Sequence, residues 1–94
     1  MKVVVVGLGS IGRRHIKNIK AIDPGINVAV LRRPSKETDL GDVKGLVDEV
    51  FFEQDDALRW GPDAAFINNP APFHVGTALS FAKRGAHLFI EKPL

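Results

Sequence analysis

Three glycines, Gly7, Gly9 and Gly12, stand in the stretch "GLGSIG" at the spacing G-x-G-x-x-G. That spacing does its chemistry through the backbone. The first glycine permits a tight turn, the second lets a pyrophosphate reach the main chain, and the third lets a helix pack closely on a strand. The N–H groups of Ser10, Ile11 and Gly12 would then lack helical partners and face an anion at the positive end of the helix. Taken alone the motif is weak: a glycine-rich turn without a ligand, or a methyltransferase-type nucleotide loop, has the same letters. Its context favours dinucleotide binding, because an apolar strand precedes it and helical spacing follows.

About 20 residues beyond such a loop, an acid at the tip of the second strand normally binds the ribose 2′-hydroxyl. This chain has Arg32 and Arg33 there. A carboxylate repels a 2′-phosphate, whereas a guanidinium grips it with paired hydrogen bonds. The expected cofactor is therefore NADP, ahead of NAD. Two plainer readings stand beside it: solvated charges at a strand end, or Arg33 stacked on the adenine face, a contact common to both cofactors. The three histidines are less informative. His15, one turn into the first helix, reads as a surface residue packing beside Ile19. His87 begins a strand and reads as structural. His74 follows "NNPAPF" at the carboxyl end of the fourth strand, where it either touches a ligand or shapes the loop.

The elements that must hold these residues are legible as well. "KVVVVGLG" is a continuous apolar run, as expected of a strand buried on both faces of a parallel sheet. From Ile11 to Ile22 the spacing becomes helical, with Gly12, Ile16 and Ile19 on one stripe and Arg13, Lys17 and Lys20 on another. Pro24-Gly25 ends that helix, and "INVAVL" reads as the second strand. Residues 34 to 62 are less regular: "EVFF" is a short strand between helical fragments at Val43–Val47 and Asp56–Trp60. "DAAFINN" is a fourth strand and "HLFIE" a fifth. Between them "FHVGTALSFAKRG" is a helix expected to bury Val75, Ala78, Leu79 and Ala82 and to stop at Gly85. Strands alternating with helices predict an α/β fold, a doubly wound parallel sheet of Rossmann type in the order 3-2-1-4-5.

Composition sets the outer bounds. Ninety-four residues with 45% hydrophobic and 26% charged content suit a single globular domain of thin stability margin. The chain has no cysteine, so it forms no disulfide or thiolate metal site and is compatible with a cytoplasmic location. The apolar N-terminal run is too short for a signal peptide or a membrane span. The net charge of +2 hides a division. Residues 1–36 carry eight Lys/Arg against Asp23 alone, and residues 37–63 carry nine acids against Lys44 and Arg59. The basic third marks either an anion site or a solvated helix face. Nucleic-acid binding is disfavoured, since the glycine loop already accounts for the basic residues and stacking aromatics are sparse.

The glycine loop, "NPAPFH" and the closing "EKPL" together resemble the N-terminal domain of the Gfo/Idh/MocA family of nicotinamide-dependent oxidoreductases, over essentially the whole chain. The resemblance implies that Lys92 lies at the nicotinamide and the substrate hydroxyl as the catalytic residue, with Glu91 by the nicotinamide ribose. It implies that the loop after the fourth strand, with Asn68, Asn69, Pro70, Pro72 and His74, borders the cofactor. Ala71 departs from the family's P-N-x-x-H pattern, and an amide contact goes with it. The resemblance also suggests a cis Lys92-Pro93 peptide. On this reading residues 1–94 are an NAD(P)-binding domain, truncated after strand 5 and without the family's C-terminal substrate domain. The implied function is oxidation or reduction of a sugar- or polyol-type CH–OH group, the substrate engaging only where a second domain is present. The alternative is a non-catalytic NADP-binding module. An uncovered strand edge makes self-association into a homo-oligomer a further expectation.

Overall fold

The computed structural model describes residues 1–32, 40–68 and 74–90, apart from the side chains of His74 and Val75. Five strands form one parallel sheet: β1 (Lys2–Val6), β2 (Asn27–Leu31), β3 (Glu49–Phe51), β4 (Ala64–Ile67) and β5 (His87–Ile90). Their order is β3-β2-β1-β4-β5, as the alternation of strands and helices predicts. The helices are α1 (Ser10–Ile22), α2 (Gln54–Trp60) and α3 (His74–Lys83), with a 3-10 helix over Gly41–Leu46. Two glycines within that 3-10 segment disfavour a longer, regular helix there. No helix among the described residues is long and apolar enough to cross a membrane.

β1 is central, in register with β2 from Lys2–Asn27 to Val6–Leu31 and with β4 from Val3–Ala64 to Val6–Ile67. Period-two alternation then sends its valines to two different cores. Val3 and Val5 join Val28, Val30 and Ala64 beneath Ile16 and Ile19 of α1 and Val43 of the 3-10 helix. Val4 and Val6 join Ala29, Leu31, Ala65 and Ile67 beneath Ala57 and Leu58 of α2 and Ala78 and Phe81 of α3. Both faces of the sheet centre are covered. That is why β1 and β2 read as unbroken apolar runs.

α1 buries Gly12, Ile16 and Ile19, the stripe expected from spacing. α3 turns by about one residue relative to expectation. Thr77, Ala78 and Phe81 are buried, while Leu79 is 54% exposed and Ala82 is exposed too. Phe81 decides the rotation: its ring offers more apolar area than any other residue of the helix, and burial free energy scales with area. Gly85, with φ of 86°, stops α3 as expected. Its N–H donates to the Ala82 carbonyl at 2.9 Å, and the Ala86 N–H donates to the Phe81 carbonyl at 3.2 Å. This pair of bonds closes a helix whose C′ residue must be left-handed.

The basic stripe of α1 is not an anion site. Arg13 donates to the Leu40 carbonyl and pairs with Asp42 at 3.3 Å. Lys17 also pairs with Asp42, and Lys20 pairs with Asp48 at 3.0 Å. The basic first third is thus partly neutralised by the acidic stretch that follows it. Exposed pairs of this kind are each worth little, about 0–1 kcal/mol, but here they join α1 to the 3-10 helix and to the approach to β3. Asp48 also accepts the Val28 N–H at 2.8 Å. The Val28 bond, followed by Lys20, draws the Asp48 carboxyl below its usual pKa range. The Lys17 bond does the same for Asp42, assisted by Arg13.

Candidate functional site

The carboxyl ends of β1, β2 and β4 meet around the glycine loop. Beyond the strands, the Gly7 N–H donates to the Leu31 carbonyl and the Asn68 N–H donates to the Val6 carbonyl, each at 2.9 Å. The loop is therefore held on both flanks. Gly7 has φ of 88°, a conformation a side chain would strain. A Cβ at Gly12 would lie far inside van der Waals contact with the Gly7 carbonyl oxygen. Gly12 is the close-packing glycine. At Gly9 a Cβ would meet nothing within 4 Å, so the space over the loop is open to a ligand. Each of the three expected roles has its counterpart in the geometry.

Gly9 is also the N-cap of α1, in extended conformation and without a side-chain capping bond. The first intrahelical bond runs from Arg13 N–H to the Gly9 carbonyl at 3.0 Å. The N–H groups of Ser10, Ile11 and Gly12 precede it and have no helical acceptor. They sit at the positive end of a 13-residue helix, and α1 carries no acid in its first turn to compete for them. The cradle fits a pyrophosphate.

On the β2 side, the Arg32 N–H donates to the Phe51 carbonyl at 3.0 Å. Its side chain is half-buried and Nη1 is buried. On the β4 side, Oδ1 and Nδ2 of Asn68 are both buried and have no hydrogen-bond partner. A buried amide without a partner is unusual, and it lies beside the loop. No sequence pattern announces it. His15 differs from expectation: its recorded ring contact is with Phe66 on β4, centroids 4.9 Å apart, and Phe66 stacks on Phe89 at 4.7 Å. The chain of rings runs from the glycine-loop helix to β5. His87 opens β5, its N–H donating to the Asp63 carbonyl at 2.9 Å, as befits a structural position. The expectations on Arg33, Asn69, Pro70, Pro72, Glu91, Lys92, the Lys92-Pro93 peptide and the His74 side chain fall outside the described residues.

A parallel sheet with its order reversing between β1 and β4, and a glycine loop opening α1 at that point, define a dinucleotide-binding domain of Rossmann type. The chain belongs to the Gfo/Idh/MocA oxidoreductase family, whose NAD-binding Rossmann-fold model matches residues 1–94. It is 33% identical over 95 residues to inositol 2-dehydrogenase of Streptomyces avermitilis, covering 98% of this chain and 27% of that protein. It is 30% identical over 100 residues to scyllo-inositol 2-dehydrogenase (NAD(+)) of Bacillus subtilis, covering 100% of this chain and 28% of that one. Among solved structures it is similar to scyllo-inositol dehydrogenase from Lactobacillus casei with bound NAD(H) and scyllo-inositol. That match has a TM-score of 0.81 at 34% identity and covers 99% of this chain and 28% of the other. The chain spans little more than a quarter of the length of these relatives.

Proposed function

We propose that this chain is the cofactor-binding part of a nicotinamide-dependent oxidoreductase acting on a polyol- or sugar-type CH–OH group. The observation that carries the reading is the cradle at the start of α1: an open Gly9, a close-packed Gly12 and helix N–H groups free to meet a pyrophosphate. Inositol dehydrogenases among the relatives support a polyol substrate. When bound, the nicotinamide supplies hydride transfer; the protein binds and orients it. Ser10, Ile11 and Gly12 hold the pyrophosphate, and Asn68, Asn69, Pro70, Pro72 and His74 border the nicotinamide half. Glu91 holds the nicotinamide ribose. Lys92 polarises the substrate oxygen and exchanges its proton. A cytoplasmic location suits a cysteine-free chain using a soluble cofactor.

The finer reading is NADP(H). Its support is Arg32 at the end of β2, followed by Arg33, with no acid where a 2′-hydroxyl binder would carry one. NAD(H) is the second reading, favoured by the NAD(+) in the Bacillus relative's name and the NAD(H) bound in the Lactobacillus structure. Calorimetric titration of NADPH and NADH into the wild type, Arg32→Ala and Arg33→Ala decides between them. A charge-assisted bond to the 2′-phosphate contributes about 1.5–3 kcal/mol, so its loss should weaken NADPH by tenfold or more and spare NADH. Equal wild-type affinities, or variants that weaken both cofactors alike, would establish the NAD(H) reading. Failure of the wild type to bind either cofactor would overturn the function.

A further inference from the structure

We infer that the Asn68 carboxamide is kept for the ligand at the expense of the ligand-free fold, as a binding residue for the nicotinamide riboside half of the dinucleotide. The inference deepens the proposed function and rests on its dinucleotide reading. Oδ1 and Nδ2 of Asn68 are both buried without a hydrogen-bond partner. Water is thereby lost from a strong acceptor and a double donor with nothing in return, which disfavours the ligand-free state. The residue has no freedom to turn its backbone away, because its N–H is tied to the Val6 carbonyl at 2.9 Å. It is pinned at the end of β4, beside β1 and the glycine loop, where the sheet order reverses.

Strand order assigns the half of the ligand. The pyrophosphate lies over the loop after β1, and the adenosine ribose lies toward the end of β2. The remaining half must then extend over β4, the neighbour of β1 on the opposite side. The chemistry agrees. Pyrophosphate oxygens only accept hydrogen bonds and would satisfy Nδ2 alone. Ribose hydroxyls and the nicotinamide amide both donate and accept, so they can complete both atoms of Asn68.

The test pairs a stability measurement with a binding measurement on the wild type, Asn68→Leu and Asn68→Ser. Leucine has nearly the shape of asparagine and no polar atoms. Asn68→Leu should raise the melting temperature of the ligand-free chain by roughly 4–8 °C. It should also weaken whichever nicotinamide cofactor the wild type prefers by about tenfold. Binding of ADP, which lacks the nicotinamide riboside, should stay within about twofold. Asn68→Ser keeps a donor and an acceptor and should recover part of the lost affinity. A lower melting temperature in Asn68→Leu, or unchanged cofactor affinity, overturns the inference while leaving the dinucleotide reading intact. An equal loss for ADP overturns the assignment to the nicotinamide half. A wild type that binds no dinucleotide overturns both.

Discussion

A methyl group added at Gly12 would strike the Gly7 carbonyl oxygen, whereas one added at Gly9 would meet no protein atom within 4 Å. The two glycines therefore answer to different demands, and substitution separates them. A backbone oxygen cannot yield as the end of a side chain can, so Gly12→Ala should sit toward the top of the usual overpacking cost of about 1–3 kcal/mol. That outweighs the roughly 1 kcal/mol alanine gains over glycine in a helix. Gly9→Ala faces no such clash, and its φ of −86° is open to alanine. Thermal melts should show Gly12→Ala clearly destabilised and Gly9→Ala close to wild type. Cofactor titration should show Gly9→Ala weakened by about tenfold or more, because the methyl occupies the approach to the loop. A Gly9→Ala chain that binds normally would mean the pyrophosphate lies elsewhere.

At the scale of elements, the rotation of α3 and the tethering of α1 each have a measurable consequence. Phe81 is fully buried and Leu79 is 54% exposed. Phe81→Ala should cost about 3–5 kcal/mol, a large part of the stability of a domain this size. Leu79→Ala should change it by no more than about 0.5 kcal/mol. Denaturant titration of the two variants checks which face of α3 is inside. The tether of α1 is sensitive to acid. The Asp42 and Asp48 carboxyls are held below their usual pKa range in the folded chain, so the unfolded chain takes up protons first as pH falls. Their contribution is complete above the ordinary carboxylate range and is lost as acidification approaches the lowered folded values. Unfolding free energy measured from about pH 6 down to pH 3 should fall. In Asp48→Asn the fall should be shallower, since one of the two shifted groups no longer titrates. An unchanged slope would show that the Asp48 contacts do not survive in solution.

For the whole molecule, the sheet leaves β5 at one end. Phe89 is 53% exposed and Ile90 is 39% exposed, and alternation puts them on opposite faces of the strand. An edge strand with apolar side chains on both faces is a template for pairing with another chain. This 94-residue chain should therefore show concentration-dependent association in sedimentation velocity. Phe89→Lys should shift it toward monomer, because a charged edge resists pairing. A single monomeric species across the concentration range would show that the edge is protected in solution.

Local patterns told much of this in advance. The glycine spacing, the buried stripe of α1, the stop at Gly85 and the alternation behind the 3-2-1-4-5 order are all written within a few residues of one another, where backbone geometry acts directly. The rotation of α3 was not legible, because spacing offers several neighbouring faces and only the sheet selects the one that buries Phe81. The basic stripe looked like an anion site until folding brought Arg13 and Lys17 to Asp42, across 29 and 25 positions. The same holds for His15, Phe66 and Phe89, which join elements far apart in the chain. Asn68 is the clearest case. In sequence it is an asparagine at a strand end, a position suited to solvent or a turn. Only the packing of β4 against β1 buries both polar atoms of its amide beside the glycine loop. Whether a polar group is satisfied depends on what surrounds it in three dimensions, and no short-range pattern carries that information.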